Sequence, residues 1–195
     1  MPYRVAVAVS GRGSNLTALV DDLSTDDVAR VVLAISDRQA PALAHAAARG
    51  IAAHRLDDYR DASEWMRLLD LARANLLVLA GYLKLVPSEV VGAWAGRIIN
   101  IHPALLPLHG GSGMYGGRVH AAVLAAGDPH SGATVHLVDE IYDRGAVLGA
   151  GRVAVTAADT AETLAERVLA VEHRLLPAAV RAAAGAGRPV PFEFT

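Results

Sequence analysis

The fold is decided by the stretch YRVAVAVSGRGSN, residues 3–15. Residues 3–9, which are apolar from Val5 to Val9, suit a strand, and residues 10–15 carry the Ser, Gly and Asn residues typical of a tight turn. The pattern then predicts a helix over residues 16–23. A strand, a turn and a helix in this order are the first half of a βαβ unit, which places the strand in a parallel sheet.

The rest of the chain repeats this alternation of apolar runs with segments of helical period. Further strands are predicted at residues 31–35, 76–80, 98–101, 133–138 and 146–155. Further helices are predicted at residues 42–49, after a capping box of Asp61 and Glu64, at residues 119–126, and after a cap of Asp159 and Glu162. The last two strands are separated by a short loop, which favours an antiparallel hairpin. We therefore predict a single-domain, Rossmann-like α/β fold with a twisted, mostly parallel sheet, an antiparallel strand in the C-terminal half and helices on both faces.

Composition excludes several classes of function. The chain has 195 residues, a net charge of −2 and no cysteine, so disulfides, thiolate nucleophiles and Cys-ligated metals are excluded. No basic stripe occurs, and we expect no nucleic-acid partner. Apolar runs are interrupted by Lys84, Arg97 or glycine well short of about 18 residues, so no membrane span is predicted. The first residues lack a secretory signal pattern, and the expected compartment is the cytoplasm.

The motif NIHPALLP, residues 100–107, closes the apolar run of the fourth main strand. Asn100 and His102 stand two residues apart, so both project from the same face of a strand. Pro103 ends the strand at the edge of the sheet where open α/β folds bind ligands. The pair could serve one acyl oxygen; the alternative is that both side chains only satisfy backbone groups at a strand end.

The loop GRGSN, residues 11–15, follows a strand and opens a helix. Backbone N–H groups and the positive end of a helix dipole can hold an anion there, with phosphate as the expected ligand. Ser14 and Asn15 add side-chain donors and could cap the helix. The alternative is a tight turn with an N-cap and no ligand. The loop is neither a Walker motif nor a dinucleotide fingerprint, because the Lys and the third Gly are missing.

An acidic loop follows the predicted strand at residues 133–138. Its carboxylates are Asp139, Glu140 and Asp143, and one of them could hydrogen-bond an imidazole and raise its pKa. The alternative is a solvated loop. The eight histidines are scattered, without HxxxH spacing or cysteine partners, so no metal site is predicted. His136 is expected to fill space or to make a structural hydrogen bond.

Six motifs occur in order between residues 11 and 177, namely GRGSN, LVLAGYLKLVP, GRIINIHPALLP, HGGSGMYG, SGATVHLVDEIYDRG and VEHRLLP. Together they resemble the phosphoribosylglycinamide formyltransferase (glycinamide ribonucleotide transformylase) family, the folate-dependent formyltransferases of purine biosynthesis. The resemblance implies an enzyme that transfers the formyl group of 10-formyltetrahydrofolate to the amine of 5-phosphoribosylglycinamide. It implies two small-molecule substrates, no metal, and a monomer or homodimer.

The resemblance also assigns residues to functions. The implied catalytic residues are Asn100, His102 and Asp143. The implied substrate-binding residues are Gly13, Ser14, Asn15 and Glu172, of which the first three form the phosphate loop and the last holds the ribose hydroxyls. The implied folate-binding residues are Tyr82, Leu83, Lys84, Leu85, Val86, Asp139 and Glu140. Residues 1–195 then form one domain, with a phosphate-binding half at 1–100 and a half at 101–195 that completes the folate and catalytic site.

The resemblance suggests direct attack of the amine on the formyl carbon. In this hypothesis Asn100 and protonated His102 stabilise the oxyanion, while Asp143 orients His102, raises its pKa and assists proton transfer. Arg144 and the Gly-rich segment 110–117 depart from the common pattern of the family. Alternatives are a methionyl-tRNA or nucleotide-sugar formyltransferase, a formyltetrahydrofolate hydrolase, or a non-catalytic module that binds nucleotide phosphates.

Overall fold

The computed structural model describes residues 1–25 and 27–195. The strands are β1 (Tyr3–Val9), β2 (Ala29–Ser36), β3 (Ala52–Arg55), β4 (Leu76–Leu79), β5 (Ile98–His102), β6 (His130–Leu137) and β7 (Val147–Ala154). The helices are α1 (Ser14–Leu23), α2 (Pro41–Ala48), α3 (Ala62–Leu71), α4 (Ser88–Ala93), α5 (Gly117–Ala126) and α6 (Ala161–Ala186).

All described strands belong to one sheet of order β3-β2-β1-β4-β5-β6-β7. The first five pair in parallel, and β6 runs antiparallel to both β5 and β7. β6 is therefore the single reversed strand of the described sheet. This confirms the predicted fold class, including the antiparallel hairpin of β6 and β7.

The sheet is buried on both faces, because its central strands are apolar at successive positions. In β1, Val5 and Val7 pack on one side, with α1, α2, α5 and α6, while Ala6 and Ala8 pack on the other. The second side is covered by α3 and α4, whose largest buried side chain is Trp65. The predicted helices on both faces are thus present.

Two elements escaped the sequence analysis. β3 has three exposed residues out of four and extends the sheet at its edge, so it lacks the apolar pattern by which buried strands are recognised. α4 begins directly after Pro87 and has only six residues. A helix of this length is too short for its helical period to be recognised in the sequence.

Two predicted helix caps are only partly correct. Asp61 does cap α3, but the side chain of Glu64 turns away to the ring of His54, at 2.8 Å, so the capping box is not completed. The cap of α6 is Thr160, which exchanges hydrogen bonds with Thr163, and the predicted cap of Asp159 and Glu162 is wrong by one residue. The threonine pair forms a complete capping box.

The segment after α6 covers the outer edge of β7. Phe192 donates its backbone N–H to the carbonyl of Leu148 at 2.9 Å, and its ring lies against Gly149, where an added Cβ would stand 2.5 Å from the ring. Phe194 occupies the corresponding space at Gly151. The absence of side chains at these two glycines therefore lets the tail lie flat on the strand.

Candidate active site

One large cleft, of about 1250 Å³, lies where the parallel strands β1, β4 and β5 end. The loops after these strands form its floor, and segments 111–118 and 138–143 form its walls. Open α/β sheets bind ligands at this end of their strands. Every residue singled out from the sequence as catalytic, substrate-binding or folate-binding lines this cleft, although their individual functions stay predictions.

The three candidate catalytic side chains meet in the cleft. Asn100 and His102 project from the same face of β5, opposite to Ile99 and Ile101. The Asn100 amide lies 3.4 Å from Asp143 Oδ1, and His102 Nδ1 lies 3.6 Å from Asp143 Oδ2. Only 5% of the His102 side chain and 9% of the Asp143 side chain are exposed. The site therefore brings together an amide, an imidazole and a carboxylate, and the imidazole and the carboxylate have little exposure to solvent.

The backbone of the acidic loop aims Asp143 at the other two groups. Asp143 has a φ of +55°, a left-handed conformation that Asp adopts more readily than most residues. The N–H of Gly111 donates to Asp143 Oδ2 at 2.8 Å. Gly145 passes so close to the carbonyl of Leu137 that an added Cβ would stand 1.7 Å from the oxygen. A side chain at this position would displace the loop that carries the carboxylate.

The carboxylate of Asp143 is held ionised. Burial raises the pKa of Asp143, but the neighbouring His136 ring, the Gly111 N–H and the charge of His102 lower it by more, so the pKa lies below its usual range. A buried carboxylate that keeps its charge can attract and hold a proton on a nearby base.

The ring of His102 is fixed in one tautomer. Its Nε2 lies 2.9 Å from the carbonyl oxygen of His109, and a carbonyl can only accept, so Nε2 carries a proton. Nδ1, which faces Asp143, is then the nitrogen that gains or loses a proton. Burial lowers the pKa of His102, and although Asp143 raises it as expected, the effect of burial is the larger one, so the pKa in the free protein lies below its usual value.

His136 belongs to the same cluster. Its Nδ1 donates to the carbonyl of Leu137 at 2.7 Å, while Nε2 lies 3.0 Å from the Asn100 amide and 3.4 Å from Asp143 Oδ1. The predicted structural hydrogen bond of His136 exists, but the ring also contacts two candidate catalytic residues, Asn100 and Asp143. The antiparallel register, which pairs Asn100 with His136, brings them together, and this register was not visible in the sequence.

The GRGSN loop presents the N-terminus of α1 to the cleft. Gly13 is the N-cap, with a φ of +79°, and a Cβ there would stand 2.5 Å from that of Ala42. No described side chain caps this helix, so the expected capping by Ser14 or Asn15 is not observed. The uncapped N–H groups of the first turn can bind an anion.

Glu172 of α6 lies beside this loop. Asn15 donates to its carboxylate at 2.5 Å, and Glu172 is 8% exposed. Burial raises the pKa of Glu172, and the hydrogen bond from Asn15 opposes this in part. Asn15 Oδ1 has no hydrogen-bond partner among the described residues. A carboxylate with an unpartnered amide oxygen at its side suits a ligand that donates hydroxyl groups.

The segment from Tyr82 to Val86 forms an apolar wall. Tyr82 and Val86 are buried, whereas Leu83 and Leu85 expose 42% and 49% of their surface. The N–H of Leu83 already donates to the hydroxyl of Ser10 at 2.9 Å, so this donor is not free for a ligand. Leu83 and Leu85 thus expose large apolar side chains in the cleft, and such a surface suits contact with a flat aromatic ligand.

Asp139 and Glu140 line the same cleft, and both are exposed. Asp139 accepts the N–H of Ile141 at 2.8 Å, which fixes the start of the acidic loop. Within residues 1–25 and 27–195, no group of three or more His, Cys, Asp or Glu side chains is arranged to hold a metal ion. No helix in these ranges is long and apolar enough to cross a membrane.

Comparison with known proteins assigns this arrangement to a family. The model of the formyl transferase family matches residues 3–180. The chain belongs to the formyl transferase family. Its relatives include the chloroplastic phosphoribosylglycinamide formyltransferase of Arabidopsis thaliana, 42% identical over 181 residues, which are 88% of this chain and 62% of that protein. The Escherichia coli phosphoribosylglycinamide formyltransferase is 34% identical, with 89% of this chain and 83% of that protein covered.

The fold agrees with solved members of the formyl transferase family. The crystal structure of phosphoribosylglycinamide formyltransferase from Brucella melitensis has a TM-score of 0.85 and 38% identity, covering 94% of this chain and 96% of that one. The chain spans about three fifths of the length of the Arabidopsis relative.

Several cleft residues of this formyl transferase family member were not singled out from the sequence. They are Arg12, Tyr59, Arg60, Tyr115, Arg118 and His120. Arg12 lies within the GRGSN motif and could have been included on that ground. Tyr115 lies within the HGGSGMYG motif and could have been included in the same way, whereas Tyr59, Arg60, Arg118 and His120 fall outside the quoted motifs.

Proposed function

We propose that this chain transfers the formyl group of 10-formyltetrahydrofolate to the amine of 5-phosphoribosylglycinamide, in purine biosynthesis. The observation that carries the proposal is the meeting of Asn100, His102 and Asp143 between an uncapped helix N-terminus and an apolar wall. The names of the relatives support the same reaction. A site that only bound a phosphate would not need this cluster.

The ribonucleotide is proposed to bind at the α1 end of the cleft. Its phosphate would accept hydrogen bonds from the first-turn N–H groups of Gly13, Ser14 and Asn15, where the helix dipole favours negative charge. Its ribose hydroxyls would donate to Glu172, whose carboxylate is buried beside Asn15. This orientation directs the amine toward Asn100 and His102.

The folate is proposed to lie along Tyr82, Leu83, Lys84, Leu85 and Val86. The exposed leucine side chains suit the flat face of its ring, while Asp139 and Glu140 can accept from ring N–H groups across the cleft. When bound there, 10-formyltetrahydrofolate supplies a formyl group on a nitrogen that can leave once protonated. The residues of this chain hold both substrates side by side, so no covalent enzyme intermediate is needed.

Asn100 and His102 are proposed to stabilise the formyl oxygen as the amine attacks the carbon. The C–N bond to the new acceptor forms, and negative charge collects on that oxygen. Asn100 can donate one amide hydrogen by releasing Asp143, its longer contact at 3.4 Å, while keeping His136 at 3.0 Å. Protonated His102 donates from Nδ1. Each such donor contributes about 3–4 kcal/mol in acyl-transfer sites.

Asp143 is proposed to hold the proton on His102 Nδ1 and to pass the proton of the attacking amine, through water, to the leaving folate nitrogen. The bond from the formyl carbon to that nitrogen then breaks, and no proton is gained or lost overall. The low pKa of Asp143 keeps its carboxylate charged for this purpose.

The reaction is tested by folate absorbance with 5-phosphoribosylglycinamide as acceptor, against methionyl-tRNA and an amino nucleotide sugar. We expect transfer to the first alone, and a fall in kcat of about a hundredfold or more in His102→Ala. A His45→Ala control alters an exposed residue outside the cleft and should leave kcat unchanged. Transfer to another acceptor, or near-normal turnover in His102→Ala, would refute the proposal.

The remaining parts of the proposal concern the working state of the protein. We propose two small-molecule substrates, no macromolecular substrate, a cytoplasmic location, and a monomer or homodimer. In the single domain of residues 1–195, residues 1–100 would supply phosphate binding and residues 101–195 would complete the site. Cell fractionation and light scattering test the location and the assembly.

A further inference from the structure

The backbone of His109 makes an unusual contact with the catalytic cluster. Its carbonyl accepts the Nε2 proton of His102 at 2.9 Å, so His109 decides which nitrogen of that ring faces Asp143. The φ of His109 is +53°, in the left-handed region that few side chains other than Asn, Asp and His adopt. Some contact must therefore hold the backbone at this residue.

A side-chain hydrogen bond supplies this contact. The His109 side chain reaches Asp128, with 2.6 Å between Nε2 and Oδ2, and the two side chains are 17% and 29% exposed. Asp128 directly follows Gly127, the C-cap of α5, and its own N–H bonds the carbonyl of Val123. The carboxylate is thus attached to the end of a helix, and it ties the loop after β5 to that fixed point.

The same loop also holds the other member of the cluster. Two residues after His109, the N–H of Gly111 donates to Asp143 Oδ2 at 2.8 Å. This oxygen is the one that lies 3.6 Å from His102 Nδ1. Three consecutive residues, 109–111, therefore contact both the imidazole and the carboxylate, and a shift of this segment would change the distance between them.

We propose that Asp128 and His109 are positioning residues, which set the tautomer of His102 and its distance from Asp143 by fixing the loop at residues 109–111. The inference rests on the proposed function for its effect on catalysis. Neither side chain lines the cleft, so neither touches substrate, and the effect should appear in the chemical step rather than in binding.

Steady-state kinetics test the effect on that step. Asp128→Ala should lower kcat about tenfold, because small displacements of reacting groups are costly, while KM for each substrate changes less than about twofold. Asp128→Asn keeps an oxygen acceptor for the imidazole and should recover most of kcat. His109→Gly accepts the positive φ without strain but loses the side-chain contact with Asp128, so it should resemble Asp128→Ala.

A matched control is available on α3. Glu64→Ala breaks a similar contact, between His54 Nε2 and Glu64 Oε1 at 2.8 Å, outside the cleft, and should leave kcat unchanged. If Asp128→Ala lowers the unfolding midpoint but not kcat, the pair is only structural and the inference is overturned. Loss of affinity for one substrate, with kcat intact, would overturn it as well.

Nuclear magnetic resonance gives a readout that does not depend on turnover. In the unaltered protein, the ¹⁵N shifts of neutral His102 should show the proton on Nε2, and in Asp128→Ala a mixture of both tautomers should appear. An unchanged single tautomer in the variant would refute the positioning. If the unaltered protein proves inactive as a formyltransferase, the proposed function fails, but this test still decides what Asp128 does to His102.

Discussion

Replacing Asp143 by asparagine removes a single charge from the centre of the cluster. Asn is among the few residues that accept the φ of +55° found there, and its amide oxygen can still accept the Gly111 N–H. The substitution therefore keeps the loop in place and isolates the electrostatic effect of the carboxylate on His102.

The distance between the groups gives the magnitude. His102 Nδ1 and Asp143 Oδ2 are 3.6 Å apart, and with an effective dielectric constant of about 20 a pair of unit charges at that distance interacts by about 4–5 kcal/mol. An interaction of this size corresponds to about a thousandfold in an equilibrium constant. Burial already lowers the pKa of His102, so loss of Asp143 lowers it further and reduces the protonated fraction at neutral pH.

The pH dependence of kcat/KM measures this change. Only protonated His102 donates from Nδ1, so the rate falls as pH rises through the pKa of His102. In Asp143→Asn this alkaline limb should move to lower pH, and kcat/KM at pH 7 should fall by up to about a thousandfold. NMR titration of the His102 ring should show the same displacement.

An alkaline limb that stays at the same pH in Asp143→Asn would refute the reasoning, whatever the loss of rate. Such a result would mean that His102 does not act as the protonated donor. Asp70→Asn is a suitable control, because this carboxylate is exposed on α3 outside the cleft. It should leave both the rate and its pH dependence unchanged.

Three further predictions follow from burial and close packing. Glu172→Gln removes a carboxylate whose pKa burial raises; it should increase the urea midpoint at pH 7 and raise KM for the ribonucleotide at least about tenfold, and an unchanged KM would contradict the ribose assignment. Gly145→Ala would place a Cβ 1.7 Å from the Leu137 carbonyl oxygen, so it should lower the free energy of unfolding by about 1–3 kcal/mol and reduce kcat. Its control is Gly185→Ala in α6, which has open space around it and should raise the free energy of unfolding by about 1 kcal/mol. Burial lowers the pKa of three histidines, His102, His120 and His173. As pH falls through the ordinary histidine value of 6.5, the unfolded state therefore binds more protons than the folded state. The free energy of unfolding, measured by urea in the Glu172→Gln background, should then be smaller at pH 5.5 than at pH 7.5. A larger free energy of unfolding at pH 5.5 would contradict the burial of these histidines.

The architecture was largely accessible from the sequence, because its central strands are buried on both faces. β4 and the Val5–Val9 part of β1 are uninterrupted apolar runs, and such runs between helical periods are typical of a parallel sheet. β3 was missed for the opposite reason, since an exposed edge strand is stabilised by pairing and not by an apolar face. The cap of α6 at Thr160 was misassigned because Asp159 is an equally good capping residue by type.

The candidate site was accessible where chemistry and spacing are local. Asn100 and His102 share a strand face by the two-residue period, and the structure places them so. The contact of Asn100 with His136 depends on the register of two strands, which sequence spacing alone does not determine. The raising effect of Asp143 on the pKa of His102 was predictable from the sequence, but the larger, opposite effect of burial was not, because the extent of burial depends on the whole fold.

The way the tail lies on β7 has a consequence for self-association. A sheet edge with free N–H and carbonyl groups can pair with another chain, and this sheet has its two edges at β3 and β7. The edge at β7 is shielded by Phe192, whose backbone N–H bonds the carbonyl of Leu148. The edge at β3 is only four residues long. Removing Phe192 and Phe194 would expose the eight-residue strand β7 at this edge of the sheet. Gly149 and Gly151 carry no side chains, so a strand of another molecule could approach and pair with β7 there.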